Sequence, residues 1–198
     1  MEEKILSAFL YNKKLKFSEI EKSVKTRSNK LAYHIKKLEN QGILIKEKEF
    51  YSLSEFAQKI IPYLSSKQSA LPVILIAIKE KEKVFLIKRK KRPFLDKLSL
   101  PGGRLLVGEE ISDSVKRIMK EKFSINAKLS KINSVSLEHT IKNKKKIHSF
   151  LLIFVTATTK DKINYLTLNK KEMITSDYEL IKNNLNKEIK INTFLTDL

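Results

Sequence analysis

Apolar residues recur at helical spacing through the first third of the chain and in strand-like runs after it. Ile5, Leu6, Phe9 and Leu10 form one stripe and predict a first helix over residues 3–11. Ser18 and Glu21 have capping-box spacing, with Ile20 and Val24 as the apolar face of a short second helix. Lys25, Thr26 and Arg27 then make a tight turn. Ser28 is placed to cap a third helix carrying Leu31, Ile35 and Leu38, which Gly42 ends as a left-handed cap. Two short strands follow, over 43–46 and 50–53, around the charged tip Glu47, Lys48 and Glu49. Ser54 caps a fourth helix with Phe56, Ile60, Ile61 and Leu64, bent or shortened at Pro62.

Residues 65–69 are small and polar and read as a linker. Beyond them, strand-like runs cover 73–79 and 84–90, joined by a charged turn. A short strand at Leu98 enters a Pro-Gly-Gly loop. A helix is predicted over 111–123, then two longer strands over 132–140 and 147–158 joined by the basic turn 142–146. A last helix opens at Ser176 and carries Tyr178, Leu180, Ile181 and Leu185. The fold class predicted is α/β (α+β), in two domains, residues 1–66 and 70–198, the second with a mixed sheet.

Composition adds limits. Hydrophobic residues make up 41% and charged residues 32%, which suits a folded globular chain. With no cysteine there is no disulfide and no thiolate ligand, and a cytoplasmic location is expected. The N-terminus does not read as a signal peptide, and the longest apolar stretches, 72–78 and 150–155, are too short to span a bilayer. No membrane partner is expected. The formal net charge of +19 suits polyanionic partners, though a general lysine bias produces the same number. Residues 1–66 carry 13 basic and 8 acidic side chains, and the remainder 28 and 14. Charge therefore does not single out the first domain.

Motifs do. The run from Ser28 to Leu44, SNKLAYHIKKLENQGIL, with Phe17 to Ile20 before it and a hairpin after it, resembles the winged helix-turn-helix families of bacterial and archaeal transcription factors. The resemblance covers residues 3–65. With Leu31, Ile35 and Leu38 inward, helical geometry turns Asn29, Tyr33, Lys36, Lys37 and Asn40 outward. Amide and basic groups on such a face read base edges and grip phosphates in a major groove. Arg27 and Lys30 flank the helix start, and Lys46 and Lys48 lie on the hairpin. Double-stranded DNA is the expected partner, bound by a homodimer. A protein–protein adaptor with the same solvated face is the alternative. His34 lies beside the inward stripe and reads as packed.

A second resemblance lies in Pro101 to Glu110 and Arg117 to Ile125. This segment resembles the Nudix signature, G-x5-E-x7-R-E-U-x-E-E-x-G-U, with U a bulky aliphatic residue. Counted from Gly103, Glu109 and Arg117 match. Met119 takes the first U, Glu121 the first paired glutamate and Ile125 the last U. The resemblance extends weakly over 70–185 and implies an α/β/α sandwich. It further implies that Glu109 and Arg117 form a structural pair, and that a glutamate-rich helix face holds Mg²⁺ or Mn²⁺ to activate water on a diphosphate. Here Ile118 replaces the glutamate after Arg, Lys122 the second paired glutamate, and Ser124 the glycine. Positions 118, 121 and 122 share one helix face. An ammonium there opposes a divalent cation, and Lys122 itself fits the cation's place.

The function expected is a transcriptional regulator whose degenerate Nudix-like domain senses a nucleotide-type ligand, with no cofactor. Regulators that join the same two modules in the opposite order are an architectural precedent. Arg104, Glu121 and Lys122 are the expected ligand residues, and the basic run 88–92 is either a further phosphate contact or a solvated loop. The alternative is a Nudix hydrolase that cleaves nucleoside diphosphate derivatives, with Mg²⁺ or Mn²⁺ on Glu121 or on a site rebuilt from Glu109, Glu110, Glu121 and Glu138.

Overall fold

The structure, a computed structural model, describes residues 1–59 and 69–196. Contacts divide it into two compact units, Met1–Gln68 and Ser69–Leu198.

The first unit runs α1 (Glu2–Ala8), β1 (Leu15–Lys16), α2 (Phe17–Val24), α3 (Ser28–Asn40), β2 (Leu44–Glu47), β3 (Phe50–Leu53) and α4 (Glu55–Gln58). Its core is the one the periodicity predicts: Ile5, Leu6, Ile20, Val24, Leu31, Ile35 and Leu38 pack with Leu44 and Tyr51. Strand β1, absent from the sequence reading, pairs with β3 and completes a sheet in the order β1-β3-β2. The predicted caps shift. Helix α1 stops at Ala8 rather than at residue 11, because Phe9 and Leu10 close i→i+3 bonds and the Asn12 side chain takes the Ala8 carbonyl at 2.9 Å. Helix α2 begins before Ser18, so Glu19, not Glu21, accepts the backbone N–H of Lys16 at 2.6 Å. Ser28 is the first residue of α3 rather than its cap, and its hydroxyl donates to Glu21 instead. Gly42 holds its predicted place: its φ of +67° lets the N–H groups of Gly42 and Ile43 return to Glu39 and Leu38, both at 2.9 Å. The Ser54 hydroxyl caps α4 by accepting the N–H of Ala57 at 3.0 Å. Ile60, Ile61, Pro62 and Leu64 lie outside the described residues.

The second unit is an α/β fold with a mixed sheet. It runs β4 (Leu71–Ala77), β5 (Lys79–Glu80), β6 (Lys83–Val84), β7 (Ile87–Lys88), β8 (Leu98–Ser99), β9 (Gly102–Arg104), α5 (Ile111–Phe123), β10 (Ala127–Lys142), β11 (Lys145–Thr159), β12 (Leu166–Thr167) and α6 (Thr175–Asn184). The main sheet has the order β10-β11-β4-β9. Its β11/β4 pair is parallel and the others antiparallel. Alternate residues of β4 and β11 feed two cores. Ile74, Ile76, Ile153 and Val155 meet Val115, Ile118 and Met119 of α5. Leu75, Ala77, Leu152 and Phe154 meet Leu180 and Ile181 of α6. A strand buried on both faces reads as a continuous apolar run, as Leu71–Ala77 does.

Three predicted elements change form. The run 84–90 splits between β6 and β7, which pair with different partners. The Pro-Gly-Gly segment is not a loop. Its two glycines sit in β9, paired with Ile74 and Leu75. The basic turn at 142–146 shrinks to Asn143 and Lys144, both left-handed, because the hairpin strands run past the predicted ends to a two-residue turn. Among the described residues no helix is long and apolar enough to cross a membrane.

Two polar groups pin the end of the chain to the sheet. Asn133, fully buried at a bulge in β10, donates to the carbonyls of Leu185 and Lys187 at 2.6 and 3.1 Å and accepts from the Thr156 hydroxyl at 2.8 Å. Asp177, buried in the first turn of α6, accepts the N–H of Leu100 at 2.8 Å. Burial raises its pKa to about 6. The folded state thus favours the protonated carboxyl, and its contribution to stability, full below the unfolded value of 3.8, is lost as pH rises through about 6. Asp177→Asn should therefore gain on the wild type between those pH values by at most about 3 kcal/mol. Denaturant melts of both proteins at the two ends of that window measure the difference.

Candidate functional site

In the first unit, all eight residues proposed from the sequence for DNA contact are exposed: Arg27, Asn29, Lys30, Tyr33, Lys36, Lys37, Lys46 and Lys48. Tyr33, Lys36, Lys37, Asn40 and Gln41 line an open hollow of about 310 Å³ along α3. Helix α2 turns into α3 through Lys25, which is left-handed at φ 52°. Three of the eight are engaged, Tyr33 lying edge-on to the His34 ring at 5.3 Å. Lys37 donates to the Glu2 carboxylate of α1 at 2.8 Å, which raises the lysine pKa and lowers that of Glu2. Lys46 stands 5.4 Å over the Tyr51 ring. His34 also meets Glu2, at 3.3 Å, and is partly buried as read. On the hairpin, Glu47 and Glu49 are neutralised by Lys14 and Lys16 at 2.6 and 3.1 Å. Sequence reasoning missed both lysines because they lie at β1, a two-residue strand that no periodicity marks.

In the second unit, the loop after β9 is tied to α5 by one carboxylate. Glu109 accepts from Arg117 Nε, from Arg117 Nη2 at 2.9 Å, from the Ser114 hydroxyl and from the N–H of Leu106 at 3.1 Å. Arg117 Nη2 also reaches the Arg104 carbonyl at 3.0 Å. These bonds, the guanidinium first, hold the Glu109 pKa down at about 2.

The three altered positions of α5 diverge. Ile118 is fully buried in the core. A Cβ on Gly103 would stand 2.9 Å from Ile118 Cγ1 and 3.0 Å from Lys122 Nζ, so isoleucine and lysine converge on that glycine. Glu121 does not join them. It is exposed and lies 3.7 Å from Arg117 Nη1. Lys122 donates to the Gly102 carbonyl at 2.7 Å. Burial first, then the charges of Arg117, Arg89 and Lys91, lower its pKa.

The NUDIX domain family matches residues 68–180, more than half of the chain. The chain belongs to the Nudix family. Solved structures with a similar fold include a NUDIX hydrolase from Nitrosomonas europaea (15% identity, 59% of this chain and 70% of that chain covered, TM-score 0.47). A UDP-X diphosphatase is 16% identical over 90% and 86% of the two chains, with a TM-score of 0.46. The NUDIX domain of Shewanella oneidensis NrtR, complexed with ADP ribose, is 15% identical over 66% and 96%, with a TM-score of 0.46. No curated protein matches the chain.

Within this Nudix domain, the residues present do not fit the divalent metal that the signature implies. Ile118 has no ligand atom, and an ammonium occupies the Gly102 carbonyl. The carboxylates of the rebuilt-site alternative have other partners: Glu109 and Glu121 both flank the Arg117 guanidinium, Glu110 accepts from the Thr193 hydroxyl at 2.9 Å and Glu138 from Ser176. Among the described residues no three acidic or histidine side chains come together as a metal site. Two of the three ligand residues expected from the sequence also separate from Lys122. Strand alternation turns Arg104 to the face of Gly102, where a Cβ would meet Leu75, and Glu121 turns outward. Within the basic run, the charges of Arg89 and Lys91 lower the Lys122 pKa and that of Glu121 opposes them, while Lys88 pairs with Asp96 at 3.7 Å.

The Glu109–Arg117 pair generates a pH test. A carboxylate held near pKa 2 stabilises the fold fully above its unfolded value of 4.5 and loses that contribution as pH falls through about 2. Glu109→Gln should cost about 2 kcal/mol at neutral pH, and the difference from wild type should shrink below about pH 4.5 and close as pH falls through about 2. Paired denaturant titrations across that range check both the size and the sign.

Proposed function

We propose that the chain is a DNA-binding transcriptional regulator whose Nudix domain senses a nucleotide-type ligand without hydrolysing it. The observation that carries this reading is the content of α5: a wholly buried isoleucine and a backbone-bound ammonium stand where the signature has two carboxylates. A hydrolase of this class needs several oxygen ligands around a hard cation, and on that face this helix offers one carboxylate, Glu121, which lies beside Arg117. The first unit is read as a winged helix-turn-helix. Its helix–turn–helix and hairpin support that reading, as does a third helix that exposes amides, a tyrosine and lysines over the whole face away from its core. A cytoplasmic homodimer would present two such helices to two half-sites. A ligand regulates such a protein by binding its DNA-competent and incompetent arrangements with different affinity. The family itself favours the second reading, a nucleoside diphosphate hydrolase carrying a nucleic-acid-binding unit.

Fluorescence anisotropy on duplex DNA from upstream of the coding sequence, paired with a turnover assay, tests the proposal. Binding should weaken steeply with salt, and Lys36→Ala with Lys37→Ala should cost about tenfold at physiological ionic strength. Lys36→Ala alone should cost more than Lys37→Ala, because Lys37 already spends its charge on Glu2. No turnover of ADP-ribose or sugar nucleotides is expected with Mg²⁺ or Mn²⁺. Metal-dependent turnover that disappears in Glu121→Gln would establish the hydrolase instead.

A further inference from the structure

Strands β10 and β11 outrun the sheet that holds them. Strand β11 pairs with β4 only from Phe150 to Thr156, whereas its pairing with β10 continues outward to Lys145. Residues 139–149 therefore form a two-stranded ribbon that no third strand supports among the described residues. Ile141 to His148 are all exposed. The ribbon holds four lysines, Lys142, Lys144, Lys145 and Lys146, and no acidic residue. Among the described residues none of the four is in an ion pair. Lys142 stands directly opposite Lys145, a like-charge pair that destabilises the free ribbon and that an anion between them would relieve.

The pairing also sets the shape of the partner. One step back from Lys142 and Lys145, Ile141 stands opposite Lys146. Successive pairs point to opposite faces of a ribbon, so ammonium groups stand on both faces and at the turn. A planar anionic surface meets one face only. A groove walled by phosphates on both sides meets both. Ile141 and Ile147 are exposed behind the lysines, so the ribbon has no apolar end to enter a bilayer. The major groove of B-form DNA admits a two-stranded ribbon, while that of A-form RNA is too deep and narrow. A second copy of the chain would bring only more lysine to this tip.

We propose that the 139–149 ribbon of the Nudix domain is a second DNA contact, which grips the phosphates of a major groove through Lys142, Lys144, Lys145 and Lys146. The contact is indifferent to base sequence, because lysines meet phosphates as point charges. This rests on the DNA-binding reading and goes beyond it, because it gives DNA to the domain read there as the ligand sensor alone.

Fluorescence anisotropy of the full chain across a salt series tests the ribbon on three probes: the upstream duplex DNA, a scrambled duplex DNA of the same length, and a duplex RNA of that length. Co-sedimentation with phosphatidylserine vesicles runs beside it. The combined variant Lys142→Gln, Lys144→Gln, Lys145→Gln and Lys146→Gln should bind both DNA duplexes about a hundredfold more weakly at physiological ionic strength. Its log–log salt slope should be shallower by about three. The loss should agree between the two duplexes within about twofold. Arginine at the same four positions should keep affinity within about threefold of wild type. Thermal melts report whether each variant folds, and if the glutamine variant does not, Lys142→Gln with Lys145→Gln decides, with an expected loss of about tenfold. Wild-type affinity and slope in the folded glutamine variant overturn the ribbon and leave DNA binding to α3. Loss in that variant, with none in Lys36→Ala plus Lys37→Ala, supports the ribbon and overturns the reading of α3. Absence of DNA binding by the wild type overturns both. Tighter binding to duplex RNA or to the vesicles than to DNA, lost in the glutamine variant, overturns DNA as the ribbon's partner.

Discussion

Helix α5 approaches strand β9 more closely than any side chain larger than hydrogen permits. A Cβ at Gly103 would stand 2.9 Å from Ile118 Cγ1. This contact sets the helix's height and rotation over the sheet. Once Ile118 is seated against Gly103, helical geometry brings Lys122 one turn on to the same strand, while Glu121, on the flank of that face, stays exposed beside Arg117. The Glu109–Arg117 pair fixes the loop that joins the two elements. The chemistry of the site follows from that packing. Ile118 adds to the core that holds the helix, while the lysine beside it takes up the Gly102 carbonyl.

The charge of this protein has a similar internal logic. A net +19 invites the reading of a uniformly adhesive surface, but the structure sorts its cations. Lys14, Lys16 and Lys37 are spent on Glu47, Glu49 and Glu2, and Lys170 on Glu179. Pairs this exposed contribute little to stability, yet each withdraws a lysine from phosphate contact. Among the described residues, what remains outside ion pairs on α3 is Lys30, Lys36 and the amides, and on α5 Lys122 is such a cation. Candidate binding surfaces are therefore better read from the cations left unpaired than from the total charge.

Helix α5 was legible in the sequence to its ends, because its apolar positions recur at helical spacing between an acidic loop and a left-handed Ser124. The two central strands were legible as apolar runs, since burial on both faces leaves little room for polar residues. Other features follow from partners distant in sequence. Strand β1 is two residues long and exists because β3 pairs with it. Asp177 is a buried acid because Leu100, far back in the chain, donates to it. Spacing placed 118, 121 and 122 on one face, but it carried no information about how near Gly103 lies. That distance separates Ile118 and Lys122 from Glu121. The folding of the loop after β7, where Arg89 Nε donates to the Pro93 carbonyl at 3.0 Å, is likewise encoded by no local pattern.

The substitution at 122 differs in kind from the one at 118. Replacing a metal-binding carboxylate with an apolar residue removes a ligand and strengthens the core, which is what loss of a function looks like. Replacing one with lysine reverses the local charge. A site of carboxylates is completed by a cation, whereas a site of lysine and arginine is completed by an anion. A neutral residue at 122 would have relieved the repulsion among the carboxylates without adding positive charge to that face. The exposed Lys122 ammonium donates to the Gly102 carbonyl and feels the like charges of Arg117, Arg89 and Lys91 against the opposite charge of Glu121. Charge reversal on an otherwise preserved Nudix scaffold therefore argues for a changed ligand requirement rather than for simple decay.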